Sequence, residues 1–382
     1  MRAKKILIIN RVFPPTLGAT GRVACELALH LRKHGHIITI LTTADIAKHD
    51  RAKNLDVIRV KTNQKPQSIS DYWRVLRKMR KATKALPQQD LVISMTDPPF
   101  QIDIGHKIAR RLGAKHYHWL MDLYPDLLPI LGKDIAPFLY KFGKGLMKRR
   151  LRQCDKIIPI SNCMERYLSH QGIPKNKMHV IENWPDKYLL EDTDDPKSLM
   201  DDSKFRILYA GTIGLAHEFD TVISAAIYFQ KTDKDIEFVF TARGRGYSIF
   251  KDKCDRAGLN NIRFINPQPS KQLNALMNAG DLHLVTMKNS AAGKLFPSKF
   301  YSALASARPV IYIGPAACDI HKKISLSKCG ATIRNGEGRM LTNAIENLKN
   351  NPDAWFEASE SASKLLEQTK PLDQWKQLIE RL

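Results

Sequence analysis

The 382-residue chain has no run of about 18 apolar residues, so no segment reads as a bilayer-spanning helix. The basic start Met1-Arg2-Ala3-Lys4-Lys5 is followed by only four apolar residues, Ile6 to Ile9. That stretch is too short for a signal-peptide core and reads as a first β-strand. The six cysteines form no CxxC pair and show no ligand spacing, which fits reduced thiols in a cytoplasmic protein. His116 and His118 would share a face of a strand, but no third ligand is evident, so a metal site is not expected. There is no zinc pattern, no ribonucleoprotein aromatic motif and no Arg-Gly tract, so nucleic acid is not an expected partner. The first strand leads into no GxGxxG and the second ends on no acidic residue, which disfavours an NAD-type site.

What is present is an ordinary globular composition, 26% charged and 43% hydrophobic, with a marked excess of positive charge. The formal net charge is +23. Residues 1–190 hold 35 basic and 15 acidic side chains, and residues 191–382 hold 26 and 23, so almost all of the excess lies in the first half. A basic half joined to a near-neutral one suggests that one half faces a polyanion or an anionic membrane.

Short apolar runs alternate with amphipathic stretches of helix length throughout. In the first half strands are expected at 6–10, 37–41, 91–95, 116–120 and 156–160. Helices are expected at 21–34, 72–86, 101–112, 137–153 and 162–170. Strands at 206–209, 237–241, 262–265, 282–287 and 310–313 continue the pattern. Near-continuous apolar strands between helices predict parallel sheets covered on both faces. The expected division is a first doubly wound domain over 1–190, an acidic linker over 191–203, a second domain over 204–370, and a final helix over 371–382 packing back toward the first.

In such folds ligands bind beyond the C-terminal ends of the strands, so loops just after strands carry the candidate site. After the first strand, Gly18 and Gly21 precede a helix and allow close approach of a ligand. Asp97 and Asp122 each follow a strand, where a carboxylate can accept a proton or bind sugar hydroxyls. Either could equally serve an Asx turn or a helix cap. In the second half, the loops at Gly211-Thr212-Ile213-Gly214 and Arg243-Gly244-Arg245-Gly246 offer backbone N–H groups to phosphate. Pro297-Ser298-Lys299 opens a helix, with Ser298 as its expected N-cap and Lys299 as a cation at its positive end. Two helices are strongly basic. One carries Trp73, Arg77, Lys78 and Lys81 beside Val75, Leu76 and Met79, and the other carries Lys144, Lys148 and Arg149 beside Phe138 and Phe142. Basic amphipathic helices of this kind read as membrane-surface binders.

Taken in order, Gly18-Ala19-Thr20-Gly21-Arg22, Thr96-Asp97-Pro98-Pro99-Phe100, Asp122-Leu123-Tyr124-Pro125, Glu182-Asn183-Trp184 and Pro297-Ser298-Lys299 resemble a GT-B glycosyltransferase of family 4. They are most similar to the fucosamine-transferase-like enzymes of O-antigen, capsule and colanic-acid clusters. The resemblance implies an α/β, GT-B fold of two Rossmann-like domains facing across a cleft. It implies a retaining, metal-independent transfer of a sugar, from a nucleotide diphosphate sugar to a lipid-linked acceptor, in cell-surface polysaccharide biosynthesis. No cofactor beyond the donor is implied, and the enzyme would sit at the inner face of the cell membrane. Asp122 and Asp97 would be the catalytic carboxylates. Gly18, Gly211, His217, Arg243, Arg245, Pro297, Ser298 and Lys299 would bind the donor. The chain departs from the broad family by having Lys294 and Ser302 where a Glu-x7-Glu pair orients the donor, and only His217 to supply a charge after the first strand of the second domain. A non-catalytic membrane- or nucleic-acid-binding protein on a degenerate GT-B fold and a nucleotide-sugar epimerase are the alternatives.

Overall fold

The computed structural model describes residues 2–16, 18–52, 54–62, 68–133, 135–190 and 204–382. The acidic stretch 191–203, read as a linker, lies outside them.

The first sheet is built from β1 (Lys5–Ile9), β2 (Ile37–Ala44), β3 (Lys48–Ala52), β4 (Leu55–Lys61), β5 (Leu91–Ser94), β6 (Lys115–Leu120) and β7 (Lys156–Pro159). Its order is β3-β4-β2-β1-β5-β6-β7. All pairings are parallel except β3 with β4. Around it lie α1 (Ala19–Lys33), α2 (Ile69–Ala82), α3 (Gln101–Leu112), α4 (Pro137–Gln153) and α5 (Asn162–His170). The second sheet contains β8 (Phe205–Thr212), β9 (Ile236–Arg243), β10 (Ile262–Ile265), β11 (Leu282–Thr286), β12 (Val310–Ile313) and β13 (Gly330–Ile333). It is parallel throughout, in the order β10-β9-β8-β11-β12-β13. Its helices are α6 (Asp220–Thr232), α7 (Arg245–Arg256), α8 (Leu273–Asn278), α9 (Lys299–Ala305), α10 (Asp319–Ser327), α11 (Gly338–Asn350), α12 (Pro352–Glu367) and α13 (Pro371–Glu380).

The central strands are apolar on both faces because helices cover both, as in β1, where Ile6 to Ile9 are fully buried. The β3–β4 hairpin and β13 are additions to the sequence expectation. β4 alternates buried and half-buried residues, and the charged β3 pairs along its outer edge, which protects that edge from other chains.

One apolar cluster runs through both halves, from Ile6 and Trp119 to Phe300, Tyr312 and Trp375. The α13 helix lies against α1, and its Trp375 ring meets Trp119 edge-on at 4.9 Å. Trp119 in turn stacks on Trp184 at 5.7 Å. Polar contacts add to the joint. Asp319 at the start of α10 accepts from the Cys163 N–H at 2.9 Å and pairs with Arg166 at 3.0 Å. Glu182 accepts from the Tyr301 hydroxyl and pairs with Lys323, both at 3.0 Å.

Candidate active site

Three first-sheet strands end on the same wall. Arg11 follows β1, Asp97 follows β5, and Asp122 and Tyr124 follow β6. Arg11 grips Asp97 with two hydrogen bonds, Nε to Oδ1 at 2.7 Å and Nη2 to Oδ2 at 2.9 Å. A bidentate, largely shielded pair of this kind fixes both side chains. Asp97 therefore does not cap α3, and its carboxylate holds Arg11 at the site. Asp122 is different. Burial, with a smaller contribution from the Asp97 charge, pushes its carboxyl up to about 6, and among the described residues no hydrogen bond offsets the cost. The phenols of Tyr72 and Tyr124 are pushed up by burial, and each also feels Asp97. Gly18 is exposed just before α1, with its backbone against Val12.

The facing wall belongs to the second sheet. Lys299 opens α9 with its ammonium 5.3 Å from the Tyr209 ring centroid. Burial pulls its pKa down to about 8. Among the described residues no carboxylate pairs with it. Gly211, at the end of β8, has φ +124, and a Cβ there would stand 2.9 Å from Lys299 Cε. Only glycine combines that backbone with that approach. Arg243 and Arg245 are exposed, and Arg245 acts electrostatically on both Tyr72 and Tyr124, so it faces the first wall. The walls are also tied directly, by Leu123 N–H donating to the Lys294 carbonyl at 2.8 Å.

Several expectations for this wall need correction. His217 supplies no charge. Its Nδ1 lies 2.9 Å from the Thr286 carbonyl, and burial, reinforced by the Lys299 cation, drops its pKa to about 3. Ser298 caps nothing, because its own backbone is already helical (φ −59, ψ −18). Pro297 and Ser298 instead give their carbonyls to the N–H groups of Phe300 and Tyr301. The α9 helix has only 7 residues, so the lysine rather than a helix end carries the positive charge here. In the two glycine loops, two of the N–H groups are already taken. Ile213 N–H donates to the Arg243 carbonyl at 2.7 Å, and Gly246 N–H donates to the Ile213 carbonyl at 3.0 Å.

The basic helices also differ from expectation. In α2 the residues Val75, Leu76 and Met79 are core, packed with Leu7 and Ile104. Trp73, Arg77, Lys78 and Lys81 lie on the exposed side, and Lys78 donates to the Lys61 carbonyl at 3.0 Å. In α4 the second half buries Met147 and Leu151, while the first half leaves Phe138 and Phe142 69% and 71% exposed. Leu139 is also exposed there, and Arg149 is exposed further along. Lys148 is half-buried, and Lys144 is drawn inward to pair with the buried Asp126 at 2.9 Å.

Arg11, Tyr72 and Tyr124 belong to the site but were not singled out from the sequence. Arg11 carried one signal, its position directly after a strand. Among the described residues no group of three or more His, Cys, Asp or Glu side chains is arranged to hold a metal ion. No helix among them is long and apolar enough to cross a membrane.

Two α/β sheets, parallel apart from the edge strand β3, whose strand ends form opposing walls make up the GT-B fold. In the first half, residues 20–187 match the model for Glycosyltransferase Family 4. WcaI of Escherichia coli (strain K12), named as a colanic acid biosynthesis glycosyl transferase, is 23% identical over 334 residues, covering 79% of this chain and 81% of WcaI. Sucrose-phosphate synthase from Thermosynechococcus elongatus has the same fold, with a TM-score of 0.75 at 14% identity over 99% of this chain and 98% of its own. So does Alr3699/HepE from Anabaena, solved with UDP and glucose, with a TM-score of 0.72 at 15% identity over 99% of this chain and all (100%) of its own.

Proposed function

We propose that the protein moves a sugar from a nucleotide diphosphate sugar to a lipid-linked glycan acceptor, with retention of configuration and without a metal, in cell-surface polysaccharide assembly. The observation that carries this reading is Lys299, a cation held against the Gly211 turn with no carboxylate partner among the described residues. As the bond from sugar to diphosphate breaks, negative charge grows on the leaving phosphate. A fixed cation in a shielded site stabilises that charge without having to reorganise. Lys299 takes this role, with Arg243 and Arg245 adding positive charge from the mouth. Gly18 lets the backbone before α1 come close to the diphosphate from the other side. Asp122 contacts the hydroxyls of the transferred sugar or of the acceptor.

The same geometry supports a place at the inner face of an anionic membrane. The first turns of α4 present Phe138, Leu139 and Phe142 to solvent, with Lys141 beside them. Apolar anchors rimmed by cations suit a lipid interface.

The test is a thermal-shift panel of nucleoside diphosphates and nucleotide sugars with and without EDTA, followed by transfer assays on polyprenyl-diphosphate-linked sugars. A ligand that binds only the folded state raises the melting temperature. One nucleotide class should do so regardless of EDTA, and transfer should follow with that donor. No shift anywhere in the panel would overturn the transferase reading, and a shift abolished by EDTA would overturn its metal independence.

A further inference from the structure

The loop after β8 holds one imidazole in a fixed orientation beside Lys299. His217 N–H donates to the Gly214 carbonyl at 3.2 Å, which closes the loop on itself. Lys288 N–H donates to the Ala216 carbonyl at 2.8 Å, which ties the loop to the end of β11. The ring is tied to the same place, with Nδ1 2.9 Å from the carbonyl of Thr286, the fully buried last residue of β11. Tyr209 stands edge-on to the ring with centroids 6.0 Å apart, and Phe219 lies at 6.2 Å.

This anchoring decides the tautomer. A carbonyl can only accept, so Nδ1 carries the proton. An unprotonated Nδ1 would set its lone pair against that oxygen. The Thr286 hydroxyl, at a longer 3.4 Å from the same nitrogen, does not change this. The ring takes no second proton near neutral pH, because burial and then the Lys299 and Lys288 cations oppose the charge. Nε2 is therefore a bare lone pair.

Among the described residues nothing donates to that nitrogen, and it is not shut off from solvent. Its neighbours cannot serve it. The Tyr209 hydroxyl already donates to the Thr212 carbonyl at 3.0 Å, and Phe219 has no donor. Beside Nε2, the ring carbon Cδ2 borders Gly214, where even an added Cβ would stand 3.7 Å away. The edge of the ring that carries Nε2 thus has room for a ligand atom.

The lone pair also says what that atom is. The oxygens of a diphosphate held by Lys299 are acceptors, and a bare Nε2 repels them. It calls for an O–H or an N–H. We propose that His217 sets donor specificity by accepting, at Nε2, a hydrogen bond from a hydroxyl or amide N–H of the nucleotide sugar flanking its diphosphate. The donating group belongs to the transferred sugar or to the ribose. An analogue that lacks it leaves the imidazole nitrogen unpaired and is rejected for that reason. The inference rests on Lys299 taking the diphosphate, as proposed above.

The first arm of the test needs no ligand. In protein whose histidines carry heavy nitrogen, long-range proton–nitrogen spectra should show His217 neutral, with its proton on Nδ1 and Nε2 bare. Its signals are assigned by their loss in His217→Gln or His217→Phe. Lys299→Ala should leave Nε2 bare. A proton on Nε2, or an Nε2 already hydrogen-bonded to Lys299, would overturn the inference. The second arm adds UDP, GDP and dTDP, then UDP-N-acetylglucosamine, GDP-mannose and dTDP-glucose, with the melting temperature followed in parallel. A probe that raises the melting temperature should move the Nε2 resonance toward the hydrogen-bonded range. Movement with the nucleoside diphosphate alone assigns the donating group to the ribose, and movement only with the sugar ester assigns it to the sugar. A raised melting temperature with an unmoved Nε2 overturns this inference alone. No melting shift with any probe overturns the transferase reading and this inference with it. His217→Phe should weaken binding of the nucleotide sugar about tenfold, and His217→Gln, which keeps an acceptor, by less.

Discussion

At the scale of single residues, the site is governed by which charges find partners. Asp97 and Arg11 neutralise one another, and Lys299 and Asp122 are left facing shielded space without such a partner. Lys299 sits at about 8, below the 10.5 of a free lysine. At pH 9 much of it is neutral in the free protein, and a bound diphosphate favours its charged form. Binding of a nucleoside diphosphate at pH 9 should therefore take up close to one proton, seen by calorimetry in two buffers of different ionisation heat. Lys299→Ala should abolish the uptake and lower turnover at least tenfold, about 1.4 kcal/mol or more of transition-state stabilisation, while the circular dichroism spectrum is unchanged. Proton uptake that persists in the variant would place another group at the diphosphate.

Among the elements, α4 divides its work along its length. Its C-terminal half packs Met147 and Leu151 into the core, while its N-terminal half presents two phenylalanines outward. Replacing Phe138 and Phe142 together by Ser should weaken binding to anionic vesicles at least tenfold without lowering the melting temperature, as checked by sedimentation with vesicles. Binding of the parent should also fall with salt, because its cations act over about a Debye length. The helices themselves were legible in the sequence. The expected spans 101–112, 137–153 and 162–170 are α3, α4 and α5, since Pro137 can only begin a helix and Gly113 readily ends one. What periodicity could not give was depth. Val75, Leu76 and Met79 make the same pattern whether they face lipid or a sheet. The hairpin of β3 and β4 escaped because β3 is charged and gains its order only from pairing with β4. Asp122 lies just past β6, where the strand-end rule looks for site residues, and Lys299 opens α9. The Arg11–Asp97 pair spans 86 positions, and the neutrality of His217 comes from tertiary burial, so neither could be read locally.

For the whole molecule, the two sheets are joined by a shared interior rather than by a surface contact alone. Trp375 is fully buried between α13 and the first sheet, edge-on to Trp119. Trp375→Ala removes a large, fully buried side chain at this joint and should cost about 3–5 kcal/mol. The guanidinium midpoint should fall accordingly, and an unchanged midpoint would mean that α13 is dispensable to the joint.

The tie between the walls at Leu123 and Lys294 is a main-chain bond, carried by an amide and a carbonyl that every residue at position 294 would supply. The Lys294 side chain, which donates to the Ser290 carbonyl at 2.8 Å, takes no part in that tie. The side chain at position 294 can therefore be exchanged without breaking the joint on which the two walls depend.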